Sequence, residues 1–261
     1  MDKREQIARM AQNKDDEILL AKLYERMTMA QARNIPAVSG FLSKREQMLA
    51  QELLRGQEIC FFGGPELAER EICCYLPDYL DSSWLTGDDG PIAAVRAVYF
   101  AGDTLTHRDF LGSLMAQGIT REKLGDILVS EGSCDLIVSR DIAPYLLQNV
   151  TSAGRVKLSV SEIGLSDLNI PELKVKEIRD TVSTLRLDAV AASGFSMSRG
   201  KAQELISSGR VQLNHRETLK ADAPVVQGDV ISARGLGKFE VAEVGGLSKK
   251  GRTALLLRRY L

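Results

Sequence analysis

Two apolar stripes, each about two turns long, stand between residues 186 and 209 and run straight into a strand-like alternation. In "RLDAVAASG" Leu187, Val190 and Ala191 share one helical face and Gly194 ends the run. In "SRGKAQELISSG" Ser198 is placed to cap the start, Ala202, Leu205 and Ile206 form the stripe, and Gly209 supplies a left-handed stop. Helices this short are marginal in water by themselves, so their stripes must be buried on another element. The next residues of the chain supply one, a series of strands. Val211 and Leu213 alternate with Gln212 and Asn214, Gly228-Asp229 turns the chain into Val230-Ile231, Phe239, Val241 and Val244 alternate imperfectly, and "TALLLRRYL" is a last strand. With "ELKVKEIRDTV" as a leading strand, residues 174–261 are expected to form two small helices on a small antiparallel sheet.

The polar residues of this segment are basic where a helix start favours acids. Arg199 and Lys201 fall in the first turn after Ser198, where each cation opposes the macrodipole by about 0.3–1 kcal/mol. Arg186 opens the preceding helix in the same way, and Arg210 and Lys220 add charge on the strand side. An outside anion would remove the conflict, and the free N–H groups of a helix start suit phosphate. The overall charge agrees. Residues 172–261 hold sixteen Lys and Arg against ten Asp and Glu, a balance of +6, whereas residues 1–171 hold 18 against 25, a balance of −7. A basic third on an acidic body points to a polyanionic partner for that third.

Residues 1–75 read as a helical region with a hairpin. Ile18, Leu19, Leu23 and Met27 recur at helical spacing, and Ser43 with Glu46 makes a capping box for a helix that stops at Gly56. Ile59–Phe62 and Ile72–Leu76 then form a hairpin. Its Gly63-Gly64 lacks the Lys-Ser/Thr of a phosphate loop, so it reads as turn chemistry. Residues 76–168 have a βαββαβ order. "IAAVRAVYF", "KLGDILV", "CDLIVS" and "GRVKLSVSEI" are strands, "THRDFLGSLMAQG" is a helix capped by Thr106 with Phe110, Leu111, Leu114 and Met115 on its apolar face, and "RDIAPYLLQNV" is a second helix. This is the ferredoxin-like plan that RNA-recognition motifs also use. Such motifs stack bases on aromatics of the central strands. Here the first strand offers Tyr99 and Phe100 and the third offers none, so a spacer or docking role is as well supported as base stacking. The linker 164–173, with its Pro171, marks the boundary to the basic third.

The remaining composition excludes other classes. No run of about 18 apolar residues exists, so no membrane partner is expected. The charged start "MDKREQIARM" has no apolar signal core, which sets the expectation of a cytoplasmic chain. Cys60, Cys73, Cys74 and Cys134 form no C-x-x-C pair and read as reduced, buried hydrophobes. His107 and His215, the two histidines, stand near no cysteine in the sequence, so neither a metal nor another cofactor is expected. Asp88-Asp89 reads as a solvated loop, and no residue is singled out as catalytic.

The spacing Arg186-Leu187-Asp188, Ser198-Arg199, Ala202, Leu205-Ile206, Gly209, Val211, Asn214 and Gly228-Asp229 resembles an S4 RNA-binding domain. His215 departs from the Gly that commonly comes after the Asn. The resemblance implies a helix-loop-helix surface for structured RNA, on which Arg186, Ser198, Arg199, Lys201, Arg210 and Asn214 would lie or which they would support, with Asp188 and Asp229 structural; Lys220 joins the RNA-binding candidates by its charge. The whole chain also resembles the YlmH family of S4 proteins, through "FLSKREQ" at 41–47, "FFGGPELAER" at 61–70 and "LGDILV" at 124–129. That resemblance implies an α+β chain of three parts, in the order helical region, RNA-recognition-like domain and S4 domain. It implies a non-catalytic protein, expected to be monomeric, that binds rRNA and tRNA on the large ribosomal subunit in the rescue of stalled translation. The alternative is an RNA-modifying enzyme, of the pseudouridine synthase or methyltransferase type, that docks substrate through S4. Against it, the middle region is short for either fold and carries no glycine-rich cofactor loop. A third reading, an adaptor whose acidic body meets a protein partner, is compatible with the first.

Overall fold

The structure is a computed structural model and describes residues 3–172, 174–248 and 250–260. The chain divides into two compact units, Met1–Pro171 and Glu172–Leu261. Leu173, the last residue of the expected linker, lies outside the described residues.

The first unit opens with helices α1 (Lys3–Met10) and α2 (Lys14–Arg33), then strand β1 (Ala37–Leu42), α3 (Lys44–Leu53), β2 (Cys60–Phe62) and β3 (Glu71–Tyr75). Ser43 caps α3 in the expected capping box with Glu46. The hairpin forms as β2 on β3, with Cys60 opposite Cys74. β1 joins the other edge of β3, giving the order β1-β3-β2. Sequence periodicity misses β1 because its register shifts between Val38 and Phe41, which breaks the two-residue alternation. The buried stripe of α2 is Leu20, Leu23, Met27 and Ala30, while Ile18 is 45% exposed, so the expected stripe is one position out at its start.

After a short turn α4 (Ser83–Thr86), the middle region runs β4 (Ile92–Val98), α5 (His107–Ala116), β5 (Leu124–Ser130), β6 (Ser133–Ser139), α6 (Ala143–Asn149), the small hairpin β7 (Ser152–Ala153) and β8 (Val156–Lys157), and β9 (Ser159–Ile163). The sheet order is β5-β6-β4-β9 and every pairing is antiparallel, the ferredoxin-like arrangement. Ala93, Val95, Ala97, Leu136 and Val138 bury one face against Phe110, Leu114 and Leu146 of the helices. Met115, expected on that apolar face, is 46% exposed.

The other face of this sheet is also covered. Ile92 and Ile137 pack with Phe41, Ile72 and Cys74 of the β1-β3-β2 sheet, and with Leu85. Gly125 on β5 makes the approach possible, since a Cβ there would lie 2.7 Å from the Phe41 ring and 3.1 Å from Ile137. Leu165 and Leu168 close the rest of the seam. On the same strands the Arg96 guanidinium donates two hydrogen bonds of 2.7 Å to the Asp135 carboxylate, which also accepts from the Asn169 amide at 2.6 Å. Burial on both faces explains why β4 reads as a near-continuous apolar run.

The second unit comprises β10 (Val175–Val182), α7 (Leu187–Gly194), α8 (Arg199–Ser207), β11 (Val211–Leu213), β12 (Arg216–Glu217), β13 (Val230–Ala233), β14 (Gly237–Leu247) and β15 (Thr253–Tyr260). Its six strands form an antiparallel sheet in the order β10-β15-β14-β13-β11-β12. The expected stripes of both helices are buried against Val211, Ile231, Phe239, Val241, Leu255 and Leu257. The imperfect alternation in β14 is a register shift between Val241 and Glu243. Gly194 sits on the Phe239 ring so closely that a Cβ would approach to 2.3 Å.

Candidate nucleic-acid interface

The interface is built around the starts of α7 and α8. Ser198 is the N-cap of α8 and its hydroxyl accepts from the Lys201 amide at 3.3 Å. In the same turn Gly200 leaves open space, since a Cβ there meets nothing within 4 Å. Arg186 is the N-cap of α7. Main-chain bonds from Leu187 to Ala223 and from Asp188 to Ala221 fix that start on the loop before β13.

Between the two helix starts lies Asp188, with no exposed side-chain surface. Arg199 donates to it through Nε at 3.0 Å and Nη2 at 3.1 Å, Gln203 through Nε2 at 2.7 Å, and Arg186 through Nε and Nη2 at 3.4 Å. Burial pushes the Asp188 carboxyl up, but the hydrogen bonds from Arg199, Gln203 and Arg186 outweigh it and hold the group below its ordinary value. The expected need for an outside anion is thereby corrected at two positions. Arg199 and Arg186 do not require one to offset the helix dipole, because the chain supplies Asp188. Their side chains remain 45% and 41% exposed, and the described bonds to Asp188 use only the Nε and Nη2 edge of each. Lys201, exposed in the same turn, has no ion pair among the described residues.

The remaining expected residues separate into two kinds. Asn214 is a turn residue. Its Nδ2 donates to Asp229 at 2.8 Å and its Oδ1 accepts from the Val230 amide at 2.9 Å. Asn214 and His215 carry φ of 51° and 61°, so the turn between β11 and β12 keeps a left-handed pair even with His in the second place. Arg210 and Lys220 are exposed at the strand side, Arg210 reaching the Arg234 carbonyl at 3.4 Å. Arg252, just before β15, escaped sequence reasoning. It lies 53 residues beyond Arg199 in the chain, but both line a single pocket.

Among the described residues of the middle domain the aromatics expected to form a stacking platform do not form one. Tyr99 is 8% exposed, packs 6.0 Å from Phe110, and donates to the Ser130 carbonyl at 2.8 Å. Phe100 is exposed but lies past the end of β4. Among the described residues no three His, Cys, Asp or Glu come together to hold a metal, and no helix is long and apolar enough to cross a membrane.

Two domain families match the chain. A domain family described as "Putative RNA-binding domain in YlmH" matches residues 98–167, and the S4 domain family matches residues 185–231. The chain is 34% identical over 251 residues to "Ribosome-associated protein quality control protein P2" of Bacillus subtilis (strain 168), covering 94% of this chain and 96% of that one. A solved structure, "Cell division protein ylmH from Streptococcus pneumoniae", aligns with a TM-score of 0.49 at 22% identity, over 62% of this chain and 98% of that one. On the strength of that relative, similar along nearly the whole of both chains, and of the two family matches within this one, the chain belongs to the YlmH family of S4-domain RNA-binding proteins.

Proposed function

We infer that this chain is a non-catalytic RNA-binding protein that works on the ribosome in the quality control of stalled translation. It docks as a monomer on rRNA and tRNA of the large subunit. The observation that carries the reading is the pair of helix starts with Arg186, Arg199 and Lys201, on a unit that matches S4, in a chain whose full-length relative bears a ribosome-associated quality-control name. Lys201, Arg210, Lys220 and the open edges of Arg186 and Arg199 contact phosphates. Ser198 holds the start of α8 and Asn214 shapes the adjoining turn, so both act in support.

The middle domain contributes to this function by position rather than by stacking bases on its sheet. The central strands of that sheet pack on both faces inside the first unit, on the helices at one side and on the β1-β3-β2 sheet at the other. Crosslinking and then sequencing of the bound RNA tests the whole reading. Reads are expected to concentrate on large-subunit rRNA and on tRNA, with crosslinked peptides from residues 186–220. Reads spread over messenger RNA, or peptides from the β4 and β6 strands, would contradict it. Binding of a structured RNA should weaken steeply with salt, as counterions leave the phosphates.

A further inference from the structure

Arg199 and Arg252 face one pocket of about 310 Å³. Its walls come from the end of β10, one side of α7, the start of α8 and the residue just before β15. Half of that lining lies outside residues 185–231, the stretch matched to S4.

Each guanidinium is fixed by one edge. Arg199 uses Nε and Nη2 on Asp188. Arg252 donates through Nε to the Thr181 hydroxyl at 3.0 Å and through Nη2 to the Thr181 carbonyl. The pocket also contains an acid, Asp180, whose one negative charge stands against the two guanidinium groups of the lining. Its oxygens already accept from the Ser193 hydroxyl and the Thr181 amide, both at 2.7 Å. The apolar part of the lining, its floor, is small: Val182, Ala189, Ala192 and Met197. Two preorganised cationic edges over such a floor suit a phosphate with a planar group beside it. Unpaired bases in RNA are held in this way, on apolar or guanidinium surfaces.

We propose that this pocket holds a single unpaired nucleotide of the bound RNA, its phosphate on the free edges of Arg199 and Arg252 and its base over Ala189, Ala192 and Met197. The proposal rests on the RNA-binding reading of the same unit. The pocket lets the protein distinguish a stem with an unpaired end from a fully paired one. Its volume lies at the lower end of the range that small-ligand sites occupy, roughly 300–1,000 Å³.

The test uses the full chain and two labelled RNAs, a stem with a three-nucleotide single-stranded overhang and the same stem blunt-ended, with binding read by fluorescence anisotropy. The wild-type protein is expected to prefer the overhang by about ten-fold, the range that one stacked base provides. Arg252→Ala should remove that preference, and so should Ala192→Leu, which fills the floor without touching a charge. A circular dichroism melt of each variant, compared with the wild-type midpoint, separates lost binding from lost folding. Equal wild-type affinity for the two RNAs, or a preference that survives Ala192→Leu in a folded protein, overturns the pocket while leaving the RNA-binding reading in place. Failure to bind either RNA overturns that reading and the pocket with it.

Discussion

At the residue scale the decisive group is Asp188. It turns two arginines from liabilities at helix starts into oriented donors, so Arg199 and Lys201, near neighbours in sequence, have different jobs. Lys201→Ala is expected to weaken RNA binding with no change in thermal midpoint. Arg199→Ala should do both, lowering stability by about 1–3 kcal/mol because a buried carboxylate loses its best partner. Parallel binding and melting curves check the difference. Acid should expose the same dependence. A carboxylate whose folded value is depressed stabilises the fold above its unfolded value, and the benefit disappears as pH falls through the folded one. Asp188 is such a group, as is Asp16, held down first by its hydrogen bond from Arg45. Urea unfolding at about pH 6 and about pH 3 is therefore expected to show a loss of stability on the acid side, smaller in Asp188→Asn.

At the scale of elements, the middle sheet is a two-sided core layer. Ile137→Ala is expected to cost about 2–4 kcal/mol, read from urea melts, because the residue is 1% exposed and sits where two sheets meet. This layer also shows what the sequence makes legible. The caps at Ser43, Thr106 and Ser198, the stripes of α7 and α8 and the βαββαβ order are all readable, because each is a local pattern of a few residues. β1 is not, because its bulge breaks the alternation and Gly40 looks like a loop residue. That glycine admits Glu122, whose Cβ and carbonyl would lie 2.8 and 2.9 Å from an added Cβ. The site is readable in part for the same reason. Arg186, Ser198 and Arg199 cluster along the chain, whereas Arg252 reaches the pocket only through the pairing of β10 with β15.

At the scale of the molecule, the second unit has its own closed core, from Val182 to Leu257. A fragment of residues 172–261 is expected to melt cooperatively and to keep affinity for structured RNA, since the basic helix starts and the core beneath them are all inside it. Calorimetry and anisotropy on the fragment check this. The first unit has no comparable independence within itself, because its N-terminal sheet and its middle sheet share one seam. That seam changes how genetic screens of this protein should be scored. Substitutions at Ile92, Ile137 or Gly125 fall in or beside the region matched to an RNA-binding family and will produce null phenotypes. Those phenotypes should track cellular abundance and recover at low growth temperature, as folding defects do. A scan that ranks positions by phenotype alone would draw the RNA footprint across a buried seam between two sheets.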